Sequence, residues 1–177
     1  IGASEFRSIR PYLPGEPLNH IDWKSTARTG LLMLREREEP TGAEIAVLLD
    51  GTQAHVFGQR WQTNYELALR TAGSLADFAL RSGRAVTLLL HEEQLRRLPL
   101  TANHAGRKAL LEALAEAQPT GGASLEHALQ QLRADFIRPL RTPGLTVVSL
   151  SLTRLLVQEL LALRKSGVQV ALAYVDS

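Results

Sequence analysis

From Glu44 onward the chain alternates short, almost unbroken apolar runs with longer stretches whose apolar residues recur every three to four positions. Glu44–Asp50 is the first apolar run and ends in a carboxylate, the pattern of a buried parallel strand with polar chemistry at its C-terminal tip. Trp61, Tyr65, Ala68, Leu69, Ala72, Leu75, Ala76 and Ala79 then form a stripe that predicts a helix over Trp61–Leu80, stopped by Gly83. Arg84–His91 reads as a second strand, and Gln94–Thr101 as its antiparallel return, with Glu92 and Glu93 in the turn. Asn103–Ala117 is helical, with Ala109, Leu110, Ala113, Leu114 and Ala117 on one side.

The loop Pro119–Ser124 hands over to a helix that Ser124 caps, and Leu125, Ala128, Leu129, Leu132 and Phe136 carry it to about Ile137. After Pro143–Gly144, Leu145–Leu152 is a further buried strand. Thr153 caps a helix bearing Leu156, Leu160 and Leu163, Gly167 closes it, and Val168–Val175 is the last strand. Alternation of this kind predicts an α/β fold: a mostly parallel, doubly wound sheet with helices on both faces. Periodicity alone equally admits a flavodoxin-like strand order.

The first forty residues break the pattern. Arg10-Pro11-Tyr12-Leu13-Pro14-Gly15, Ile21-Asp22-Trp23-Lys24 and Ala27-Arg28 follow neither period, and predict a loop held in one shape. Such loops often carry binding. Leu31–Glu39 starts apolar and turns to alternating charge, the sign of an edge strand or extended arm, and Pro40-Thr41-Gly42 ends it. Two roles suit this segment. In the architectural one, Pro14–Gly15 sets a turn, Trp23 fills a gap over the sheet and Asp22 pairs with Arg10 or Arg28. In the other, Arg10, Tyr12, Trp23 and Arg28 anchor a docking surface, with Lys24 among its cations.

Together with Glu5-Phe6, His20 and Leu34-Arg35-Glu36, these residues resemble the signature of the bacterial domain-of-unknown-function-58 family. The resemblance implies a von Willebrand factor A-like domain over residues 41–177, with residues 1–40 as a signature arm packed on it. In domains of that kind, an Asp-x-Ser-x-Ser turn, a Gly-Gly-Thr loop and a later Asp hold Mg²⁺ through hard oxygen ligands. On this chain Asp50 matches and Thr52 replaces the first serine, but Ala54 stands at the second. Gly121-Gly122 is followed by Ala123, with Ser124 one residue on, and Ser149, Ser151 and Thr153 include no carboxylate. The expectation is therefore no cofactor, with Mg²⁺ on Asp50, Thr52 and Ser124 as the alternative, a degenerate adhesion-type site.

The resemblance also implies a non-catalytic adaptor that works with a MoxR-type AAA+ ATPase. It further implies a full-length protein held at the cytoplasmic face of the bacterial inner membrane by a segment upstream. That expectation suits a chain that opens at Ile1 without a signal-peptide pattern or a membrane-length apolar run.

Composition narrows the remaining classes. The 177 residues suffice for one cored domain, and 45% hydrophobic with 21% charged residues is globular. A net charge of +2 with mixed signs lacks the concentrated basic face of a nucleic-acid binder. The absence of cysteine excludes disulfides, thiolate metal sites and a Cys nucleophile. The five histidines have no two-His metal spacing on a helix, and neither a nucleophile elbow nor a phosphate-cradling loop occurs. The chain therefore reads as a non-enzyme.

Overall fold

A computed structural model describes residues 6–12, 21–37, 42–59, 62–137 and 144–176. The chain divides into two compact units, Ile1–Thr41 and Gly42–Ser177.

In the first unit β1 (Phe6–Pro11) pairs antiparallel with β2 (Met33–Arg37), placing Arg10 opposite Leu34. Between them lies a short helix, α1 (Trp23–Thr29), where the sequence reading expects only an aperiodic loop. Its cause is local: the Asp22 carboxylate accepts the Ser25 N–H at 3.0 Å, an N-cap that a search for period does not detect. The Thr26 hydroxyl accepts the Met33 N–H at 3.0 Å and fastens the helix to β2. Trp23, for which the architectural expectation is burial, is 68% exposed. Pro14 and Gly15 lie outside the described residues.

The second unit is built on β3 (Gly42–Leu49). Its neighbours are β6 (Arg84–His91) and β8 (Gly144–Ser149), both parallel to it. Beyond β6 runs antiparallel β7 (Leu95–Leu100), and beyond β8 runs parallel β9 (Gln169–Tyr174), giving the order β7-β6-β3-β8-β9. The chain thus starts in the middle of the sheet and winds both ways, the doubly wound arrangement expected from the alternation. A small hairpin, β4 (Gly58–Gln59) with β5 (Gln62–Thr63), precedes the first long helix.

That helix, α2 (Asn64–Arg81), starts three residues later than its apolar stripe predicts. The Thr63 hydroxyl accepts the Glu66 N–H at 3.1 Å, and this Thr-x-x-Glu start overrides the stripe. Trp61 lies outside the described residues. Helix α2 ends as expected at Gly83, whose φ of 77° suits glycine.

Helices α2 and α3 (His104–Glu116) cover one face of the sheet. There Ala68, Ala72, Ala76, Leu110 and Ala113 pack on Val47, Leu49, Leu88 and Leu90. Helices α4 (Leu125–Ile137) and α5 (Arg154–Lys165) cover the other, where Leu125, Leu129, Leu156, Leu160 and Leu163 pack on Ala46, Leu48 and Val147. Because β3 is buried on both faces, neither face of it reads as polar in the sequence.

Candidate functional site

In a doubly wound sheet the crevice lies beyond the strand C-termini, where the winding reverses. Here that point is between β3 and its two neighbours. The pairs Leu49↔Leu90 and Leu49↔Val148 bring the next residues, Asp50, His91 and Ser149, side by side at three adjacent tips. Each ends an apolar run, and all three are buried.

Asp50 is 0% exposed and fully engaged. Its Oδ1 accepts the Thr52 N–H at 2.9 Å and the Thr52 hydroxyl at 2.6 Å. Its Oδ2 accepts the Leu150 N–H at 3.1 Å and the Ser149 hydroxyl at 3.2 Å. The His91 Nδ1 stands 3.6 Å from Oδ1 and 3.4 Å from the Thr52 hydroxyl. Burial alone pushes this carboxyl up. The His91 ring, the Thr52 hydroxyl and the Thr52 and Leu150 N–H groups outweigh burial and bring the pKa down to about 2. The Leu150 N–H is turned to Asp50 instead of a ladder partner, which is why β8 stops at Ser149 although the apolar run continues to Leu152.

Backbone closes over the carboxylate as well. Thr52 bridges Gly121 in parallel, with the Gly121 N–H on the Gly51 carbonyl at 2.8 Å and the Gln53 N–H on the Gly121 carbonyl at 3.1 Å. A Cβ on Gly51 would lie 2.1 Å from the His91 carbonyl oxygen, so only glycine fits where these loops meet.

Ser124, the third residue of the expected Mg²⁺ set, is exposed at the start of α4, its hydroxyl 3.4 Å from the His127 N–H. It belongs to a cluster around Glu126, a residue within electrostatic reach of Asp50 that the sequence reading does not single out. The Thr153 hydroxyl donates to Glu126 and also accepts the Leu156 N–H at 3.0 Å, so one hydroxyl caps α5 and ties it to α4. Burial raises the Glu126 pKa, but the Thr153 hydroxyl, its own backbone N–H and the Ser124 hydroxyl hold it below the usual carboxylate range.

These residues do not fit a divalent cation. A carboxylate offers about four lone-pair positions; the Thr52 N–H, the Thr52 hydroxyl and the Leu150 N–H take three of those on Asp50, and the Ser149 hydroxyl stands at the fourth, its one proton shared with the Ser151 carbonyl at 2.7 Å. Ala54 and Ala123 supply no oxygen. Among the described residues no three His, Asp or Glu side chains group as metal ligands. What the arrangement does is lock three strand tips together.

His91 also escapes sequence reasoning, whereas Ser149 is noted there only as a hydroxyl where a carboxylate is expected. The signal present was a polar residue closing each of three apolar runs, but which tips adjoin is set by strand order. Of the signature residues, Trp23, Lys24 and Arg28 are exposed on α1, Asp22 caps it and Tyr12 is half-buried. The Tyr12 N–H bonds the Leu32 carbonyl at 2.8 Å. Arg10 lies in β1.

The fold has known counterparts. An aerotolerance-related membrane protein from Bacteroides fragilis, bearing multiple mutations to serines, is similar with a TM-score of 0.52 and 14% identity, over 74% of this chain and 66% of that one. The SpRpn10 VWA domain is similar with a TM-score of 0.52 and 13% identity, over 74% of each chain. The conserved hypothetical protein BatB from Bacteroides thetaiotaomicron has a TM-score of 0.51 and 15% identity, over 74% of this chain and 65% of its own. Likeness at these identities shows the fold: a von Willebrand A-like domain spanning about two thirds of the two Bacteroides chains. No curated protein sequence matches. A family model described as Protein of unknown function DUF58 matches residues 8–176, nearly the whole length, and the chain belongs to that family.

Proposed function

We propose that this domain is a protein-interaction module without catalysis or a cofactor of its own, an adaptor or substrate of a MoxR-type AAA+ ATPase. The observation that carries the reading is the engagement of Asp50. The crevice where this fold would bind a ligand has spent its one central carboxylate on its own strand tips. With Asp50 at 0% exposure and Thr52 buried, no base and hydroxyl there meet a substrate. Function then falls to the surface, where α1 presents Trp23 and Arg28, residue types that dominate binding hot spots, with Lys24 exposed beside them.

The ATPase as partner rests on the family resemblance, as does a full-length protein at the cytoplasmic face of the bacterial inner membrane. Among the described residues no helix is long and apolar enough to cross a membrane. The reading includes no nucleic-acid partner, in keeping with the balanced charge.

The test is association of the protein with a MoxR-type ATPase, with and without ATP, for the wild type and Trp23→Ala. Because Trp23 is exposed, its removal should leave stability within about 0.5 kcal/mol and weaken association about tenfold or more. Absence of ATP-dependent association in the wild type overturns the partner. Unfolding of Trp23→Ala overturns the docking role of α1.

A further inference from the structure

Helices α2 and α3 leave an open groove between them. Asp77 meets Arg107 and Gly73 lies against Leu114, so the two helices run antiparallel. The groove encloses about 650 Å³, and Leu69, Leu110, Leu111 and Leu114 give it an apolar floor.

Apolar side chains continue onto its rim. Leu111 is 68% exposed. On α2, Ser74 lines the groove, and Leu67 and Phe78 fall within about 40° of it around the helix. They are 50% and 72% exposed. Floor and rim together make an apolar surface of the kind that marks interaction sites. From Glu66 to Arg81 the α2 side runs for about 22 Å, room for a partner helix of about four turns.

The charge of the groove is organised as well. Asp77 accepts the Arg81 Nε–H on Oδ2 at 2.6 Å and the Arg107 Nε–H on Oδ1 at 2.7 Å. Arg107 first, and Arg81 after it, hold the Asp77 carboxyl below the usual carboxylate range. Both arginines donate to Asp77 only through Nε. Their terminal amino groups, the fork that suits a carboxylate, have no acceptor among the described residues. Arg70 also lines the groove, is exposed, and has no ion pair among the described residues. Against these three cations stand Asp77, already held by two of them, and Glu66 near the start of α2. Lys108 and Glu112 of α3 pair with each other at 3.6 Å.

We propose that this groove binds an acidic amphipathic helix of a partner protein. Its apolar side chains rest on the leucine floor, and its carboxylates meet Arg70 and the forks of Arg81 and Arg107. Helices seat in such grooves through anchors at i, i+3 or i+4, and i+7. A basic helix would bring like charge to the arginines, and a purely apolar one would leave them unmet. Every described helix of this chain carries Lys or Arg, so a second copy is the poorer match. The groove is a different surface from α1, and the proposal stands whether or not the ATPase reading does.

The experiment is selection from a displayed library of helical peptides about four turns long, randomised along one face and its flanks. The 177-residue chain is the target and Arg70→Glu/Leu111→Asp the counter-target. Peptides held by the wild type and lost with the double variant should carry apolar residues at helical spacing, flanked by Asp or Glu. For one such peptide, fluorescence anisotropy should show Arg70→Glu and Leu111→Asp each raising Kd more than about tenfold. Both positions are exposed, and either variant reports alone should the other not fold. A library that yields no peptide dependent on the groove overturns the proposal. So do basic flanks in the selected peptides, or binding that Leu111→Asp leaves unchanged. Binding to phosphatidylserine vesicles that Leu111→Asp abolishes, with no peptide selected, would give the surface to a membrane instead. Self-association that Leu111→Asp abolishes would give it to a second copy, and either result overturns the partner helix.

Discussion

The strand tips of the second unit and helix α1 of the first hold their functional side chains in opposite ways. At the tips, Asp50 faces four protein donors and a histidine ring, and backbone from the Gly51 and Gly121 loops closes over it. On α1, Trp23, Lys24 and Arg28 are exposed instead. In this chain the strand tips serve as a clasp. The position of a crevice is a property of the topology, but whether it binds depends on who already holds its polar atoms.

The largest effect expected is at the clasp. Asp50→Ala leaves the Thr52 N–H and hydroxyl and the Leu150 N–H without their acceptor, and should cost about 3–5 kcal/mol of stability in urea unfolding. A loss below about 1 kcal/mol would make Asp50 a bystander and reopen it as a ligand.

Next comes acid. The Asp50 pKa is lowered in the folded state from 3.8 to about 2, so the unfolded chain takes up this proton first. The stability it contributes, about 2 kcal/mol, is complete above roughly pH 5 and is lost as pH falls through 4 toward 2. Unfolding measured across that window should show the loss in the wild type and a flatter profile in Asp50→Asn. Equal slopes would place the acid sensitivity elsewhere.

Smallest of all is the response to metal: millimolar Mg²⁺ should not move the thermal midpoint. A bound ion at 100 times its dissociation constant adds about 2.7 kcal/mol, several degrees for a domain of this size. A shift of that size, absent in Asp50→Ala, would turn the clasp back into a metal site.

Local signals were sufficient for much of the molecule. The Thr63 and Thr153 caps, the Asn103 start of α3 and the runs of β3, β6, β8 and β9 can all be read from neighbours in sequence. The misreadings were also local in origin. The Asp22 cap outweighed the missing period and made α1, and the Thr63-x-x-Glu66 start outweighed a stripe that began at Trp61. The Trp23 error was different: its size argued for burial, and burial is no property of the residue alone.

The sequence by itself determined the elements and their order, because hydrogen bonding within helices and the spacing of apolar residues act over a few positions. It also determined the chemistry available, oxygen-rich and free of cysteine. Only the tertiary structure decided which strands lie side by side and which polar tips adjoin. Asp50 and Ser149 are 99 residues apart and meet because β8 pairs with β3. That choice is made by packing two layers of helices on one sheet, a sum of long-range contacts that no local window contains.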